Sequence, residues 1–263
     1  MPLLEYATSQ LLYHADAAAV EFPQGALLEK FPLAIWVDSN LFFGCYKIGS
    51  TDFPSLIHIL IDYKLERLLH TGVTMNMDIN TKNYYGRTPL AHAAALGKES
   101  MVQSLLDKGV EVESKDLFGL TPLLQVVQDG QESIVNLLLD KGADVDSKDH
   151  SGCTPLLQAV QRGNKRMTKL LLEKGAEVDA KDRSGYTPLL EAAERGNKAI
   201  VQLLLENGAD VDLENNKGVT PLKLAMRMEN DEIKELLQRY GAEVESAAYP
   251  GTTVVPDEEW IGL

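Results

Sequence analysis

The residues best suited to hold a metal ion form a short run, Asp144, Asp146 and Asp149, alternating acids of the kind that ligate calcium through oxygen. The same run returns in register as Glu177, Asp179 and Asp182, 33 residues later. Acids copied at a fixed period belong to a scaffold, so these are expected in turns, accepting hydrogen bonds from turn amides or facing solvent. The five histidines (His14, His58, His70, His92, His150) show neither His-x-x-x-His nor Cys/His ligand spacing. Cys45 and Cys153 are too few and too far apart for a disulfide framework, which suits a reducing compartment. Cys153 falls at an expected turn and reads as an incidental small residue rather than a reactive thiol. No Ser/His/Asp or Cys/His set can be assembled in one pocket. The residue pattern therefore predicts no catalytic, cofactor-binding or metal-binding residues, and no enzyme.

What would position any functional side chain is a repeat. Turn glycines fall at Gly86, Gly119, Gly152, Gly185 and Gly218, always 33 residues apart. The stretch GLTPLLQVVQDG from Gly119 returns as GCTPLLQAVQRG from Gly152 and GYTPLLEAAERG from Gly185. A period of this size marks a stacked repeat architecture. In the unit that begins at Asp149, Thr154 caps a helix and Pro155 fits its first position. Leu156, Ala159 and Val160 make one apolar stripe, and Gly163 ends the helix. Asn164 caps a second helix carrying Met167, Leu170, Leu171 and Leu172, which Gly175 ends. A polar finger follows. Two helices this short bury their apolar faces only against neighbouring units, so every unit must present the same surface to the next.

Gly-x-Thr-Pro-Leu, a glycine nine residues after the threonine, Leu-Leu and Gly-Ala-Asp-Val-Asp together resemble the ankyrin repeat. The resemblance covers residues 82–242 strongly and 51–81 weakly. It implies an all-α solenoid of helix-turn-helix units with β-hairpin fingers, about six repeats over residues 51–242. The histidine that commonly follows Thr-Pro-Leu is Ala91, Leu124, Leu157, Leu190 or Lys223 here, so its hydrogen bonds between repeats are not expected. The first unit is degenerate: aligning Thr51–Gly72 on Thr88–Gly109 puts Leu60 where the glycine is expected and leaves a loop four residues longer before Gly86. The last unit reads as a cap. Lys234 and Gln238 stand where Val135 and Leu139, or Val201 and Leu205, are apolar, and Glu229 replaces the inter-helix glycine.

Residues 1–50 read as an N-terminal helical segment packing on the array, with Trp36, Phe42 and Phe43 too apolar to leave in water. With Leu-Glu-Tyr-Ala near its start and the Asn83-Tyr-Tyr-Gly loop, this region resembles the join between the nucleotidase part and the repeats of fungal NACHT–ankyrin proteins. No Gly-x-x-x-x-Gly-Lys-[Ser/Thr] phosphate loop is present, so nucleotide hydrolysis does not carry over. Residues 243–263 hold five acids and no Lys or Arg and read as an acidic flexible tail, in which Trp260, Ile261 and Leu263 could form a short docking peptide. The net charge of −14 argues against a nucleic-acid partner. No apolar stretch approaches the roughly 20 residues of a membrane span, and the first residues, with no basic run before an apolar one, are not expected to act as a secretory signal. A monomer in the cytoplasm, with the nucleus open, is expected.

Positions that vary between units carry the specific signal. On the first helices, Gln125, Gln128, Asp129, then Gln158, Gln161, Arg162, then Glu191, Glu194, Arg195 project on one side and stack into a polar band. At the fingers, Tyr84, Tyr85, Arg87 and Leu117, Phe118, Leu120 are aromatic or apolar. The later fingers (His150, Ser151, Cys153; Arg183, Ser184, Tyr186; Asn216, Lys217, Val219) are more polar at their tips. The ankyrin resemblance implies that the concave face and the finger tips bind partner proteins. The expected function is a non-catalytic protein-interaction module. The alternative is the sensing arm of a NACHT-type signalling receptor whose nucleotidase is a separate chain.

Overall fold

Each Thr-Pro in the array opens a helix. The threonine hydroxyl accepts from the backbone amide three residues on, as Thr154 does from Leu157 N at 3.3 Å and Thr187 from Leu190 N at 3.2 Å. Proline takes the first helical position, where no amide donor is needed. The computed structural model describes residues 56–74 and 78–242, and these form six helix pairs. They are α1 Leu56–Asp62 with α2 Glu66–Thr74, α3 Pro89–Ala95 with α4 Glu99–Leu106, and α5 Pro122–Asp129 with α6 Glu132–Asp140. After them come α7 Pro155–Gln161 with α8 Lys165–Glu173, α9 Pro188–Glu194 with α10 Lys198–Glu206, and α11 Pro221–Arg227 with α12 Asp231–Arg239. First helices pack on first helices and second helices on second helices, giving two parallel rows. One continuous apolar core runs between them, from Ile57 through Leu90, Leu123, Leu156 and Leu189 to Leu222. Residues 1–50 and 243–263, with the helical segment, the NACHT-like join and the docking tail expected there, lie outside the described residues.

The stack is tied together by groups whose recurrence in the sequence has a simple cause. Lys82 Nζ donates to the Lys115 carbonyl at 2.8 Å, Lys115 to Lys148 at 2.6 Å, Lys148 to Lys181 at 3.3 Å and Lys181 to Glu214 at 2.9 Å. Each lysine thus clips its own unit to the next.

The first unit corrects an expectation. Helix α1 begins 33 residues before α3, not 37, so the spacing of the array extends unbroken into it and the apparent extra four residues vanish. Ser55 and Leu56 stand where Thr-Pro stands elsewhere, which hid the register. Lys64, at φ 57°, takes the left-handed position that Gly97 fills in the next unit at φ 67°. This register puts His58 at the position after Thr-Pro-Leu, and its Nε2 donates to the Arg87 carbonyl at 2.9 Å, an inter-unit bond not anticipated. In the last unit Glu229 takes the same left-handed conformation at φ 54°.

The fingers also differ from expectation. No strand forms among the described residues. Each finger closes on two backbone bonds, such as Asp116 N to Leu120 O and Gly119 N to Asp116 O, both at 3.0 Å, too short a turn for a ladder. Its leading Asn or Asp fills the remaining donors: Asp116 Oδ1 accepts from Phe118 N at 2.9 Å and Leu120 N at 3.0 Å. Asp149 serves Ser151 and Cys153 in the same way, and Asp182 serves Ser184 and Tyr186.

On α12, Lys234 is half-buried and Gln238 exposed, at positions where α10 buries Val201 and Leu205. Lys234→Val with Gln238→Leu restores an inner unit's stacking face, and the double variant is expected to self-associate. Sedimentation at high concentration checks this. A strictly monomeric variant means that α12 is not the end of the stack.

Candidate functional site

The acids that resembled a calcium site are used by the scaffold. Asp144 Oδ1 accepts from Asp146 N at 3.0 Å, and Asp146 Oδ1 from Glu177 N at 2.9 Å in the following unit. Among the described residues no cluster of His, Cys, Asp and Glu is arranged to hold a metal ion. Cys153 is buried, and burial followed by the charges of Asp149 and Asp182 pushes its thiol up to about 12, leaving it inert as a nucleophile.

The finger tips of the second and third units carry the most unusual surface. Tyr84 is 55% exposed, Tyr85 48%, Leu117 66% and Phe118 61%, while comparable positions in later fingers are His150, Ser151, Arg183, Ser184, Asn216 and Lys217. The two tips are locked side by side. Leu117 N donates to the Tyr85 carbonyl at 3.0 Å, and a Cβ at Gly86 would stand 3.0 Å from Leu117 N. The rings of Tyr84 and Tyr85 meet edge to face with centroids 5.4 Å apart. The Arg87 guanidinium lies 5.6 Å from the Tyr85 ring centre and also donates to Asp116 at 3.3 Å and to Gln125 at 2.7 Å. These bonds fix the tips on a rigid base, so apolar rings are held in water without collapsing onto the core.

The predicted residues differ in how far they reach the surface. Arg87 is half-buried and engaged within the fold, so it positions Tyr85 rather than offering a free cation. Leu120 and Tyr186 are half-buried at the finger bases. Burial, then the nearby charge of Glu194, raises the Tyr186 phenol above its ordinary range. Gln125, Gln158 and Glu191 were expected to project from the first helices, but all three are buried, because the first helices of both neighbouring units flank them. Gln125 donates to Asp129 at 3.2 Å, and Glu191 pairs with Arg195. The outer part of the band remains at the surface: Gln128, Gln161 and Glu194 half-buried, Asp129, Arg162 and Arg195 exposed. Continuing the position of Asp129 along the array reaches exposed Tyr63 and Leu96 at one end and Met228 at the other. Sequence reasoning missed these; the 33-residue spacing, carried into the first unit, finds them.

Stacked helix pairs joined by tight fingers, with side chains varying along one exposed edge, define an α-solenoid repeat protein. Residues 97–182 and 178–248 match the model for ankyrin repeats (3 copies), over more than half of the chain. The chain belongs to the ankyrin-repeat family, whose members generally mediate protein–protein interaction. Set against curated proteins, the chain shows no significant match. Among the described residues no helix is long and apolar enough to cross a membrane.

Proposed function

We propose that this chain is a non-catalytic protein-binding module that grips its partner with the aromatic tips of the second and third fingers. The observation that carries the reading is the pairing of Tyr84 and Tyr85 with Leu117 and Phe118, four large apolar side chains exposed together on hydrogen-bonded turns. Rigid exposed aromatics lose little conformational freedom on binding, which is what a hot spot requires. The outer band of Gln128, Asp129, Gln161, Arg162, Glu194 and Arg195 supplies polar rim contacts along the same array. The acidic net charge favours a protein partner over nucleic acid.

Tyr85→Ala or Phe118→Ala is expected to weaken partner binding by about 2 kcal/mol with little loss of stability. Affinity capture from native extract, compared by mass spectrometry between wild type and each variant, identifies what the tips hold. A titration with that protein then gives the loss. If either change lowers the melting temperature by several degrees while affinity survives, the side chains serve the fold and binding lies elsewhere.

The second reading, a sensing arm working with a NACHT-bearing chain, rests on the resemblance of the region around residues 1–50 and of the Tyr84–Tyr85 finger. It requires the captured partner to carry a phosphate-binding loop.

A further inference from the structure

Along the turns joining first and second helices, the charge differs from unit to unit, and the fourth and fifth units are basic there. The third unit offers Asp129 and Glu132 there, and the sixth Glu229, Asp231 and Glu232. The fourth offers Arg162, Lys165 and Arg166 and no acid between 161 and 168. All three cations are exposed, and none forms an ion pair among the described residues. By contrast Arg195 and Lys198 in the fifth unit are committed, to Glu191 and to Glu232 at 3.2 Å. Local stability does not account for the arrangement. Lys165 and Arg166 open α8, as Lys198 opens α10, where the helix dipole favours acids, whereas α4, α6 and α12 begin with Glu99, Glu132 and Asp231–Glu232. The fourth unit therefore offers three exposed cations without ion pairs among the described residues of an acidic protein, a patch fitted to an acidic peptide.

We infer that its occupant is the chain's own acidic tail, with Asp257, Glu258 and Glu259 seated on Arg162, Lys165 and Arg166. Residues 243–263 carry five acids and no base, so most of the acidic surface repels them and this patch attracts them. The reach is sufficient. The described chain ends at Ala242, two units along from the patch and at the opposite end of the helices. Helix spacings of about 10 Å put it roughly 20 Å along the stack, and a nine-residue helix adds about 14 Å across it. The intervening 14 or so residues span about 20 Å as a random coil and about 46 Å when extended, so the gap of roughly 25 Å lies between the two. A tethered peptide meets the patch at high effective concentration, so weak individual pairs suffice. Seating the tail there would cover Arg162, in the middle unit of the polar band, and an external acidic partner would have to displace it. This inference does not rest on the finger-tip reading, which involves apolar side chains on the fingers and shares only the rim residue Arg162 with the patch.

A nitroxide on Gly262→Cys in a Cys45→Ser background, Cys153 being buried, tests this in the full chain. Amide signals of residues 161–169 are expected to lose at least about half their intensity at roughly 0.05 M salt and to regain it near 0.5 M, where screening is short-ranged. Lys165→Glu with Arg166→Glu should abolish the broadening. Because acids suit a helix start, that variant is expected to fold at least as well as the parent. Broadening that is absent, that falls on the finger tips, or that survives both salt and charge reversal overturns the inference. So does equal broadening of an unlabelled copy mixed with the labelled chain, which would make the contact one between molecules.

Discussion

Gly185→Ala is expected to cost the array about 3 kcal/mol, while Gly175→Ala costs about 1 kcal/mol. Both glycines are left-handed, at φ 78° and 88°, so an alanine pays the same backbone strain at either. Their surroundings separate them. A Cβ at Gly175 meets nothing within 4 Å. One at Gly185 would stand 2.7 Å from the Asn216 amide nitrogen and 3.1 Å from the Asn215 carbonyl carbon, backbone atoms of the next finger. That finger cannot step aside cheaply. Asn216 N donates to the Ser184 carbonyl at 3.1 Å and its side-chain amide to the Arg183 carbonyl at 2.9 Å, so making room breaks the bonds that join fifth and sixth units. In a solenoid each unit is stabilised by its neighbours, so the loss should appear as early unfolding of the last unit. Urea unfolding of the two variants, read beside hydrogen exchange in α11 and α12, checks the result. Equal costs at the two glycines would mean that the fingers are not in firm contact and that the glycine serves its own turn alone.

The parts of this molecule legible in the sequence are those decided within one unit. Thr154, Pro155 and Gly163 announce a helix by their own chemistry, and the structure uses them as such. What was not legible depends on the next unit. The spacing of Gln125, Gln158 and Glu191 puts them at one register position, but depth is set by the flanking first helices, which bury them. Lys115 and its counterparts recur visibly, yet a lysine announces no acceptor, and only the stack brings a backbone carbonyl within 2.6 Å of its ammonium. The fingers looked like hairpins by resemblance. Asp116 and its counterparts close them instead, because a side-chain acceptor serving two amides leaves too few backbone pairs for a strand. The first unit misled for a local reason: Thr51 imitates a helix cap, and Lys64 adopts a conformation that glycine usually marks.

That corrected register makes the first unit the acid-sensitive end of the array. His58 is buried on α1, its ring 5.5 Å from that of His92 on α3. Because a carbonyl only accepts, the bond to Arg87 O requires a protonated Nε2, which the neutral ring provides. Burial is the main reason the ring resists a second proton, and its pKa falls to about 4; the Arg87 bond opposes this, His92 adds to it, and Asp62 opposes it. Above about pH 6.5 the ring is neutral whether α1 is folded or not, and it favours neither state. Between 6.5 and about 4 the unfolded segment takes up a proton that the folded one refuses, so stability falls as pH falls through this window. From pH 7 to 5 the loss is about 2 kcal/mol, approaching about 3 kcal/mol near pH 4. Among the described residues this loss falls on the α1–α2 pair, since the inner units carry Ala91, Leu124, Leu157 and Leu190 at the position of His58. Hydrogen exchange over α1 and α2, corrected for intrinsic rates at each pH, should therefore show protection falling roughly thirtyfold between pH 7 and 5 while α7 to α10 hold. His58→Leu is expected to flatten that dependence, at a fixed cost for leaving the Arg87 carbonyl without its donor. Protection in α1 that is the same at both pH values, or a decline that persists unchanged in the leucine variant, would show that the proton is bound elsewhere.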